Sequence, residues 1–185
     1  MSDEEVKANF DVNVFGLLHV VRNVMPFLRA QKSGHIFNIA SIAGYSGNFG
    51  GWGIYCATKF AVVGLSESLA AEVKPFGVNV TAVLPGYFRT NFLNAGSINT
   101  PKNLVADYAL VRETIALHQD QINGNQPGDP EKAVAAMIAV AESATPPVHL
   151  FLGQDAYNMA GVQMEFVQKN LDSVRALATS TDFDK

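Results

Sequence analysis

The sequence is poor in cysteine, in charge and in metal-binding patterns, and each shortage excludes a class of protein. The single cysteine, Cys56, cannot form a disulfide within the chain, which fits a reducing compartment, and we expect a cytoplasmic protein. Thirteen basic residues against 17 acidic ones give a net charge of −4, so the chain offers no basic surface for nucleic-acid phosphates. No metal-ligand spacing joins the four histidines, and we therefore predict no metal site; they are His19, His35, His118 and His149.

Long apolar runs are also absent. The longest run of small apolar residues, 133–141, is far shorter than the roughly 18 residues of a membrane span. The first residues, Met-Ser-Asp-Glu-Glu, are acidic and do not have the pattern of a signal peptide. With 185 residues, of which 48% are hydrophobic, the chain has enough apolar surface to fold and enough length for about one domain. We therefore predict a single domain that has no membrane partner.

The first segment has the pattern of an amphipathic helix. Ser2 and Glu5 have the spacing of a capping box. Apolar residues then recur every three or four positions, so we predict a helix over 3–31 in which Pro26 kinks the last turns. Asn13 falls on the apolar face of this helix, where a buried amide needs hydrogen-bond partners and a bound water would satisfy it.

Two short apolar segments flank a second predicted helix. Residues 35–40 and 78–84 are predicted strands, and residues 54–74 between them are a predicted helix. A helical crossover between two apolar strands favours neighbouring parallel strands that are connected in a right-handed sense. The sequence therefore predicts a layered α/β fold.

The second half of the chain predicts a lid and a third strand. Residues 91–128 are longer than an ordinary loop and contain a helix of their own, which is typical of a substrate lid. We expect the stripe Leu104, Tyr108, Val111 and Ile115 to pack against the rest of the fold, and we hypothesise that its exposed members also bound an apolar substrate pocket. Asp129 and Pro130 open a further helix, and we predict a strand at 148–152 and a final helix at 155–177.

Several chemically useful side chains are predicted to meet at one edge of the sheet. Ser41 follows the first strand directly, and a Pro-Gly pair follows the second. The crossover helix begins at the same edge with Tyr55 and Lys59, which lie one turn apart on one face. Ligands bind at this edge in open parallel sheets. We expect Ser41, Tyr55, Lys59 and Thr90 to meet in a single crevice at this edge.

The pair of Tyr55 and Lys59 suggests proton transfer. A free phenol has a pKa of about 10, so a tyrosine transfers protons poorly at neutral pH. The ammonium of Lys59 would stabilise the phenolate and lower the pKa of Tyr55, which could then exchange a proton with an alcohol or alkoxide. Ser41 could hydrogen-bond the same substrate oxygen. Taken alone, the Tyr-Lys spacing also fits a surface pair, Ser41 a turn residue, and Asn13 a satisfied amide.

Three motifs follow Asn13 in a fixed order: Ile-Ala-Ser-Ile-Ala-Gly from residue 39, Tyr-Cys-Ala-Thr-Lys from residue 55, and Pro-Gly-Tyr-Phe-Arg-Thr from residue 85. This set resembles the catalytic half of the short-chain dehydrogenase/reductase family. The resemblance implies a catalytic tetrad of Asn13, Ser41, Tyr55 and Lys59. It also implies a cofactor-binding set of Tyr55, Lys59, Pro85, Gly86 and Thr90.

The resemblance implies a role for each of these residues. Tyr55 is the acid/base, and Ser41 orients the reacting oxygen. Lys59 holds the nicotinamide ribose and lowers the pKa of the tyrosine, while Asn13 holds a water in a proton relay to Lys59. The Pro85-Gly86 pair and Thr90 line the nicotinamide side of the crevice.

The family's glycine-rich phosphate-binding turn has no counterpart in this sequence. The glycines of residues 44–53 lack its spacing and lie between the serine and the tyrosine, so a flexible turn is the better interpretation. The predicted fold is therefore a partial doubly wound, Rossmann-like parallel sheet, namely its last three strands with flanking helices, in one incomplete domain over 1–185. We expect a fragment, a mis-assigned gene start or a truncated relative.

The function implied by the resemblance is an oxidoreductase. It would transfer hydride between NADP or NAD and a small-molecule alcohol or carbonyl substrate. The segment that selects between the two cofactors is missing, and NADP is slightly favoured. Relatives are commonly dimers or tetramers, which implies a homodimer or homotetramer. The alternative is a truncated, inactive relative that acts only as a structural or oligomerisation module.

Overall fold

The computed structural model describes residues 1–94, 101, 103 and 105–183. Over these residues the strands are β1 (Gly34–Ile39), β2 (Val78–Pro85) and β3 (His149–Leu152). The α-helices are α1 (Asp3–Phe10), α2 (Leu17–Gln31), α3 (Gly53–Val73), α4 (Ala109–Ala116), α5 (Pro130–Ala141) and α6 (Gln154–Thr179). Two π-helical segments follow α1 and α4, namely Asp11–Gly16 and Leu117–Ile122. Short 3-10 turns are formed by Ile42–Gly44, Lys74–Phe76 and Asn91–Leu93.

The three strands form one parallel sheet in the order β1-β2-β3. Ile39 pairs with Val83 and Pro85 pairs with Leu152, so the carboxyl ends of the strands lie at one edge. Nearly every residue of β2 is buried, as expected for a central parallel strand that is covered on both faces. The predicted α/β fold, with its β-α-β unit and a third parallel strand, is confirmed.

The first predicted helix is helical along its whole length, but a π-helical segment interrupts it. The capping box is confirmed, because Glu5 N donates to Ser2 Oγ at 3.3 Å and Ser2 N donates to Glu5 Oε2 at 2.8 Å. The segment Asp11–Gly16 replaces the α-helical hydrogen bonds by the wider i→i+5 pattern, which we did not predict. Helix α2 then continues past Pro26 and ends at Lys32, which has a left-handed φ of 55°.

Helix α3 is the crossover between β1 and β2 and packs across the sheet. Val62 contacts Ala82 and Leu84 in a buried hydrophobic cluster. The polar side chain of Ser66 is also buried there, and its Oγ donates to Val62 O at 2.7 Å and accepts from Asn38 Nδ2 at 2.9 Å. The hydrogen bonds offset the cost of burying these groups, so the helix is tied to β1 as well as to β2.

One helical stretch in the described part of the chain, Gly53–Phe76, is long and apolar enough by length and composition to cross a membrane. Lys59 and Glu67 interrupt it, so it is not a continuous apolar run. Within this fold, Val62 and Val63 of the same stretch pack on the sheet. Packing against β2 therefore accounts for the apolar residues on the face of the helix that meets the sheet.

The turn after β1 packs closely on helix α3 at Gly44. A Cβ atom on Gly44 would lie 2.6 Å from the backbone oxygen of Lys59, closer than side-chain carbons approach backbone oxygens in proteins. The turn that carries Ser41 can therefore pack on the turn of α3 that carries Lys59 only because residue 44 has no side chain. This contact fixes the spacing between the end of β1 and the start of α3.

We predict that Gly44→Ala lowers the free energy of unfolding by about 2 kcal/mol, because the turn and the helix must move apart. The matched control is Gly64→Ala on the same helix, where an added Cβ meets nothing within 4 Å. That control should raise the free energy of unfolding by roughly 0.5 to 1 kcal/mol through its higher helix propensity. Urea denaturation measures both changes, and equal effects of the two substitutions would contradict the prediction.

Candidate active site

A cavity of about 400 Å³ lies over the ends of β1 and β2, at the carboxyl edge of the sheet. This volume is in the range of small-molecule binding sites. Of the predicted site residues, those that line it are Ser41, Tyr55, Lys59, Pro85, Gly86 and Thr90. Asn13 does not line the cavity. The structure therefore brings every predicted site residue except Asn13 to one crevice.

Ser41 lies just beyond β1 in extended backbone, with a φ of −171°. Its Oγ accepts a hydrogen bond from Ala43 N at 3.1 Å and so caps the 3-10 turn Ile42–Gly44. The same side chain also acts on the phenol of Tyr55, whose pKa it lowers. Ser41 is therefore both a turn residue and a polar partner of Tyr55, so the two interpretations of this residue are compatible.

Tyr55 lies in the first turn of α3. Burial is the largest effect on this phenol and raises the pKa of Tyr55 above its usual 10.0. The hydrogen bond from Ser41 lowers this pKa, whereas Cys56 and Tyr87 raise it further. The net effect is a raised pKa, so Tyr55 is a protonated phenol at neutral pH.

This raised pKa corrects the expectation that Lys59 lowers the pKa of Tyr55. The Nζ atom of Lys59 lies over the Tyr55 ring, 5.7 Å from its centroid. The removal of the phenol from water outweighs the attraction to this ammonium. The sequence spacing placed the two groups together correctly, but it contained no information about the depth of burial.

Lys59 is anchored to the end of β1. Its Nζ donates a hydrogen bond to Ile39 O at 3.0 Å, which ties the second turn of α3 to the last residue of the strand. Burial lowers the pKa of Lys59 from 10.5 to about 8, because removal from water disfavours the ammonium form. Lys59 is therefore largely charged at neutral pH and loses its proton at mildly alkaline pH.

Asn13 lies in the π-helical segment Asp11–Gly16 and contacts α3 rather than the cavity. Its Nδ2 donates to Thr58 Oγ1 at 3.1 Å. Thr58 Oγ1 in turn donates to the backbone oxygen of Tyr55 at 2.8 Å. Asn13 is thus linked to the backbone of Tyr55 through the side chain of Thr58. Its role in a water relay to Lys59 stays a prediction.

The Pro-Gly pair that ends β2 meets the first turn of α6. Tyr87 N donates to Asp155 Oδ2 at 2.7 Å, and Gly86 N donates to Leu152 O at 2.9 Å. A Cβ atom on Gly86 would lie 2.3 Å from the Asp155 carboxylate, so only glycine allows this approach. We did not single out Asp155 from the sequence. The sequence feature that could have identified Asp155 is an acidic residue in the first turn of the helix that follows the third strand.

Thr90 lies at the rim of the cavity and is exposed. Its Oγ1 accepts from Phe92 N at 3.3 Å and caps the 3-10 turn Asn91–Leu93. The predicted cofactor contact and the capping contact can coexist, because a hydroxyl has one proton to donate and two lone pairs that accept.

His118 is a buried residue of the cavity wall that the sequence analysis did not select. Its Nδ1 lies 2.7 Å from Thr114 O, which can only accept, so Nδ1 carries the proton. In the neutral imidazole the Nε2 atom then accepts from the hydroxyl of Tyr87 at 2.9 Å. In the sequence the histidines suggest only a possible metal site, and nothing in the sequence around His118 indicates that it lines the cavity.

The segment 91–128 contributes to the cavity through residues other than the predicted stripe. Val111 and Ile115 pack against Trp52, and Tyr108 is 64% exposed. The packing predicted for Val111 and Ile115 is therefore confirmed, whereas the hypothesis that exposed members of the stripe bound the pocket is wrong for Tyr108, which does not line the cavity. Leu104 lies outside the described residues. Among the described residues of the segment, those that line the cavity are Phe92, Leu93, His118 and Gln126, with Thr90 just before it.

We predict that Lys59→Met changes how stability depends on pH. Between about 8 and 10.5 the unfolded wild type holds the Lys59 proton more tightly than the folded protein, so its unfolding free energy rises with pH in this window. The variant lacks this rise. Any stability advantage of the variant should therefore be largest at neutral pH and shrink as the pH passes through the window. Urea denaturation of both proteins over a pH series measures the difference, and a constant difference would contradict the lowered pKa.

Comparison with solved structures supports this fold. A short-chain dehydrogenase from Streptomyces avermitilis superposes with a TM-score of 0.87 and 36% sequence identity, covering 99% of this chain and 65% of that one. A short-chain dehydrogenase from Burkholderia cenocepacia, solved in complex with NADP, matches with a TM-score of 0.65 and 23% identity, over 94% of this chain and 60% of that one. At that identity the second structure supports the fold alone.

Sequence comparison agrees with the structural match. Oxidoreductase BOA17 of Botryotinia fuckeliana (strain B05.10) is 32% identical over 174 residues, which cover 94% of this chain and 62% of that protein. The chain therefore spans less than two thirds of the length of these relatives. The family model described as short chain dehydrogenase matches residues 1–100, more than half of the chain. The chain belongs to the short-chain dehydrogenase family.

Proposed function

We propose that the protein is an NAD(P)-dependent oxidoreductase that transfers hydride between a nicotinamide cofactor and an alcohol or carbonyl substrate, with Tyr55 as the acid/base. Membership of the family and the relative named as an oxidoreductase support the reaction class. The observation that carries the proposal is the position of the Tyr55 hydroxyl. Ser41 acts on this hydroxyl and lowers its pKa, Lys59 lies over the Tyr55 ring, and all three residues line a cavity of substrate size.

The residues at the carboxyl edge fit the nicotinamide end of the cofactor. Lys59 uses one N–H group on Ile39 O and, as an ammonium, has two more for ribose hydroxyls. Pro85 and Gly86 would form the adjoining wall, and Thr90 offers a hydroxyl at the rim. The nicotinamide, when bound, supplies or accepts the hydride, and a side chain of the protein donates or accepts the proton.

Tyr55 would supply the proton in carbonyl reduction. Its hydroxyl donates to the substrate oxygen while the carbonyl carbon gains hydride, and Ser41 hydrogen-bonds the same oxygen. In alcohol oxidation the phenol must first lose its proton. Because burial holds the pKa of Tyr55 above its usual value, the acid form predominates at neutral pH. At neutral pH the side chain of Tyr55 is therefore in the form that carbonyl reduction uses.

Lys59 and Asn13 would support Tyr55 in different ways. The Lys59 ammonium, 5.7 Å from the ring centroid of Tyr55, stabilises the negative charge that develops on the phenol oxygen as the proton leaves. Asn13 acts through Thr58 on the backbone of Tyr55 and is a positioning residue in this proposal. The relay through a water held by Asn13 would return a proton to Lys59.

The cavity wall indicates a substrate with a mostly apolar body. Its lining includes aromatic and aliphatic side chains from several elements: Phe49, Phe92, Leu93, Val134 and Met137. Apolar walls favour apolar ligand surface and leave specificity to the few polar groups in the pocket. We therefore propose a small apolar ketone or aldehyde, or the corresponding alcohol, as the substrate class.

We also propose a homodimer or homotetramer as the working assembly. Apolar side chains lie exposed along the first helix and its continuation, at Val12, Val20 and Phe27. Such residues are costly in water, and an interface between copies would bury them. Analytical ultracentrifugation of the purified protein tests this assembly.

We predict that Tyr55→Phe reduces kcat for carbonyl reduction by at least about a hundredfold, because the acid is removed while the ring remains. The assay screens ketones with NADPH and NADH, using the protein with any residues its gene encodes ahead of Met1. The matched control is Tyr157→Phe on α6, a tyrosine that is 70% exposed and does not line the cavity. This control should keep the wild-type rate.

Two outcomes would count against the proposed function. Turnover by Tyr55→Phe at the wild-type rate would exclude Tyr55 as the acid. A wild-type protein that neither binds a nicotinamide cofactor nor turns over any ketone would favour a structural or oligomerisation role instead.

The raised pKa of Tyr55 predicts different pH dependences for the two directions. Alcohol oxidation needs the phenolate, so its rate should rise as the pH increases towards the raised pKa. Carbonyl reduction uses the phenol and should stay nearly constant through neutral pH. Initial rates in both directions, measured with saturating cofactor over one pH series, test this, and an oxidation rate independent of pH would contradict it.

A further inference from the structure

The carboxylate of Asp155 fills the space beside the backbone that follows β2. Its Oδ2 accepts a hydrogen bond from Tyr87 N at 2.7 Å. A Cβ atom on Gly86 would overlap both oxygens of this carboxylate, and a Cβ atom on Gly153 would lie 2.5 Å from its Oδ1. The end of β2 and the start of α6 therefore both lack a side chain at the point where this carboxylate lies.

The backbone of Tyr87 is held from two sides. Its N–H donates to Asp155, and its oxygen accepts from Gly128 N at 2.9 Å. Gly128 also pairs with Phe88 in an isolated parallel bridge. The contact with Gly128 is made by backbone atoms, whereas the contact with Asp155 is made by a side chain. Asp155 is therefore the anchor of this backbone that a substitution can remove.

Residues 85–87, which we call the Pro-Gly turn, form part of the cavity wall. Pro85, Gly86 and Tyr87 all line the cavity, whereas Asp155 is not among its lining residues. Gly86 N donates to Leu152 O at 2.9 Å, which ties the turn to the end of β3 as well. The contact between Asp155 and a molecule in the cavity is therefore indirect and runs through the Pro-Gly turn.

Stabilisation of α6 alone does not account for this contact. Asp155 lies in the first turn of α6, where the unpaired N–H groups of a helix start favour an acidic side chain. That local effect explains an acid at this position. It does not explain the hydrogen bond to Tyr87 N, which belongs to another element, or the lack of room for a Cβ atom at Gly86. A role in placing the Pro-Gly turn accounts for both.

We propose that Asp155 is a positioning residue that holds the Pro-Gly turn against the nicotinamide ring of the cofactor. The inference rests on the proposed function, in which this turn forms the wall beside the nicotinamide. Without the carboxylate, Tyr87 N loses its acceptor and a space opens beside Gly86, so the turn moves from its place. The ring is then held less tightly, and its reactive carbon is displaced from the carbonyl carbon of the substrate.

The test compares the affinity for a whole cofactor with the affinity for the same molecule without its nicotinamide. The two pairs of probes are NADPH with 2′-phospho-ADP-ribose and NADH with ADP-ribose. Titration calorimetry measures their binding to the protein with any residues its gene encodes ahead of Met1. We expect the wild type to bind the whole cofactor of one pair more tightly than the fragment, and the ratio of the two affinities reports on the nicotinamide end.

The variants Asp155→Ala and Asp155→Leu remove the acceptor of Tyr87 N. Each should weaken the binding of the whole cofactor about tenfold and leave the affinity for the fragment unchanged, so the ratio falls about tenfold. The second variant tests the proposal if the first does not fold. Asp155→Asn keeps the shape of the side chain and an oxygen that accepts from Tyr87 N, so it should keep the ratio within about twofold of the wild type.

The control for a general loss of stability is Ser2→Ala. It removes the bond from Glu5 N to Ser2 Oγ at the start of α1, and Ser2 does not line the cavity. This variant should keep the wild-type ratio. With saturating cofactor, the Ala and Leu variants at position 155 should also reduce kcat for carbonyl reduction at least about tenfold, because the nicotinamide is displaced.

Three results would overturn the role of Asp155 and leave the proposed function in place. These are a wild type that turns over ketones but binds cofactor and fragment equally, Ala and Leu variants that keep the wild-type ratio, and an Asn variant that loses as much of the ratio as the other two. A wild type that binds neither NADPH nor NADH would overturn the proposed function and this inference together.

The first set of results therefore separates the failure of this inference from the failure of the proposed function.

Discussion

The contact between the end of β1 and the first turns of α3 is the constraint on which the site depends. The Lys59 ammonium group donates to Ile39 O at 3.0 Å, and the turn at Gly44 leaves no room for a side chain against the Lys59 backbone oxygen. These two contacts set the distance from Ser41 to Tyr55. The reactive side chains therefore lie on the end of a strand and the start of a helix, and these two contacts fix the position of one relative to the other. The packing of the other elements maintains that position.

Burial moves the two ionisable groups of this contact in opposite directions. It raises the pKa of Tyr55 and lowers the pKa of Lys59 to about 8, because the charged form loses water in both cases. At neutral pH the pair is then a neutral phenol beside an ammonium. Proton donation by Tyr55 converts it into an ion pair, whose opposite charges attract more strongly in a mostly apolar cavity than in water. Burial thus keeps the proton on Tyr55 at the start, and the ammonium offsets part of the cost of the phenolate that forms.

Much of the fold and of the candidate site was predictable from the sequence, because both follow from local patterns and one rule of sheet topology. The helix 3–31, the two strands and the crossover helix were read from periodicity, and the carboxyl-edge rule placed Ser41 and Tyr55 in one crevice. The sign of the pKa shift of Tyr55 was not predictable, since it depends on burial by segments far away in the sequence. The π-helical path around Asn13 has no sequence signature, and His118 and Gln126 have no local spacing to Tyr55.

The residues that prediction missed come from parts of the chain that only the tertiary fold brings together. Ser41 and Tyr55 come from the strand edge and the crossover helix, whose motifs are local and readable. Trp52, His118 and Gln126 line the same cavity from loops and a π-helical segment. Ser41 and Tyr55 suit a carbonyl oxygen, which needs an acid and a hydrogen bond. The other walls decide which substrates fit the cavity, so the selection of substrate depends on the part of the chain that sequence patterns describe least.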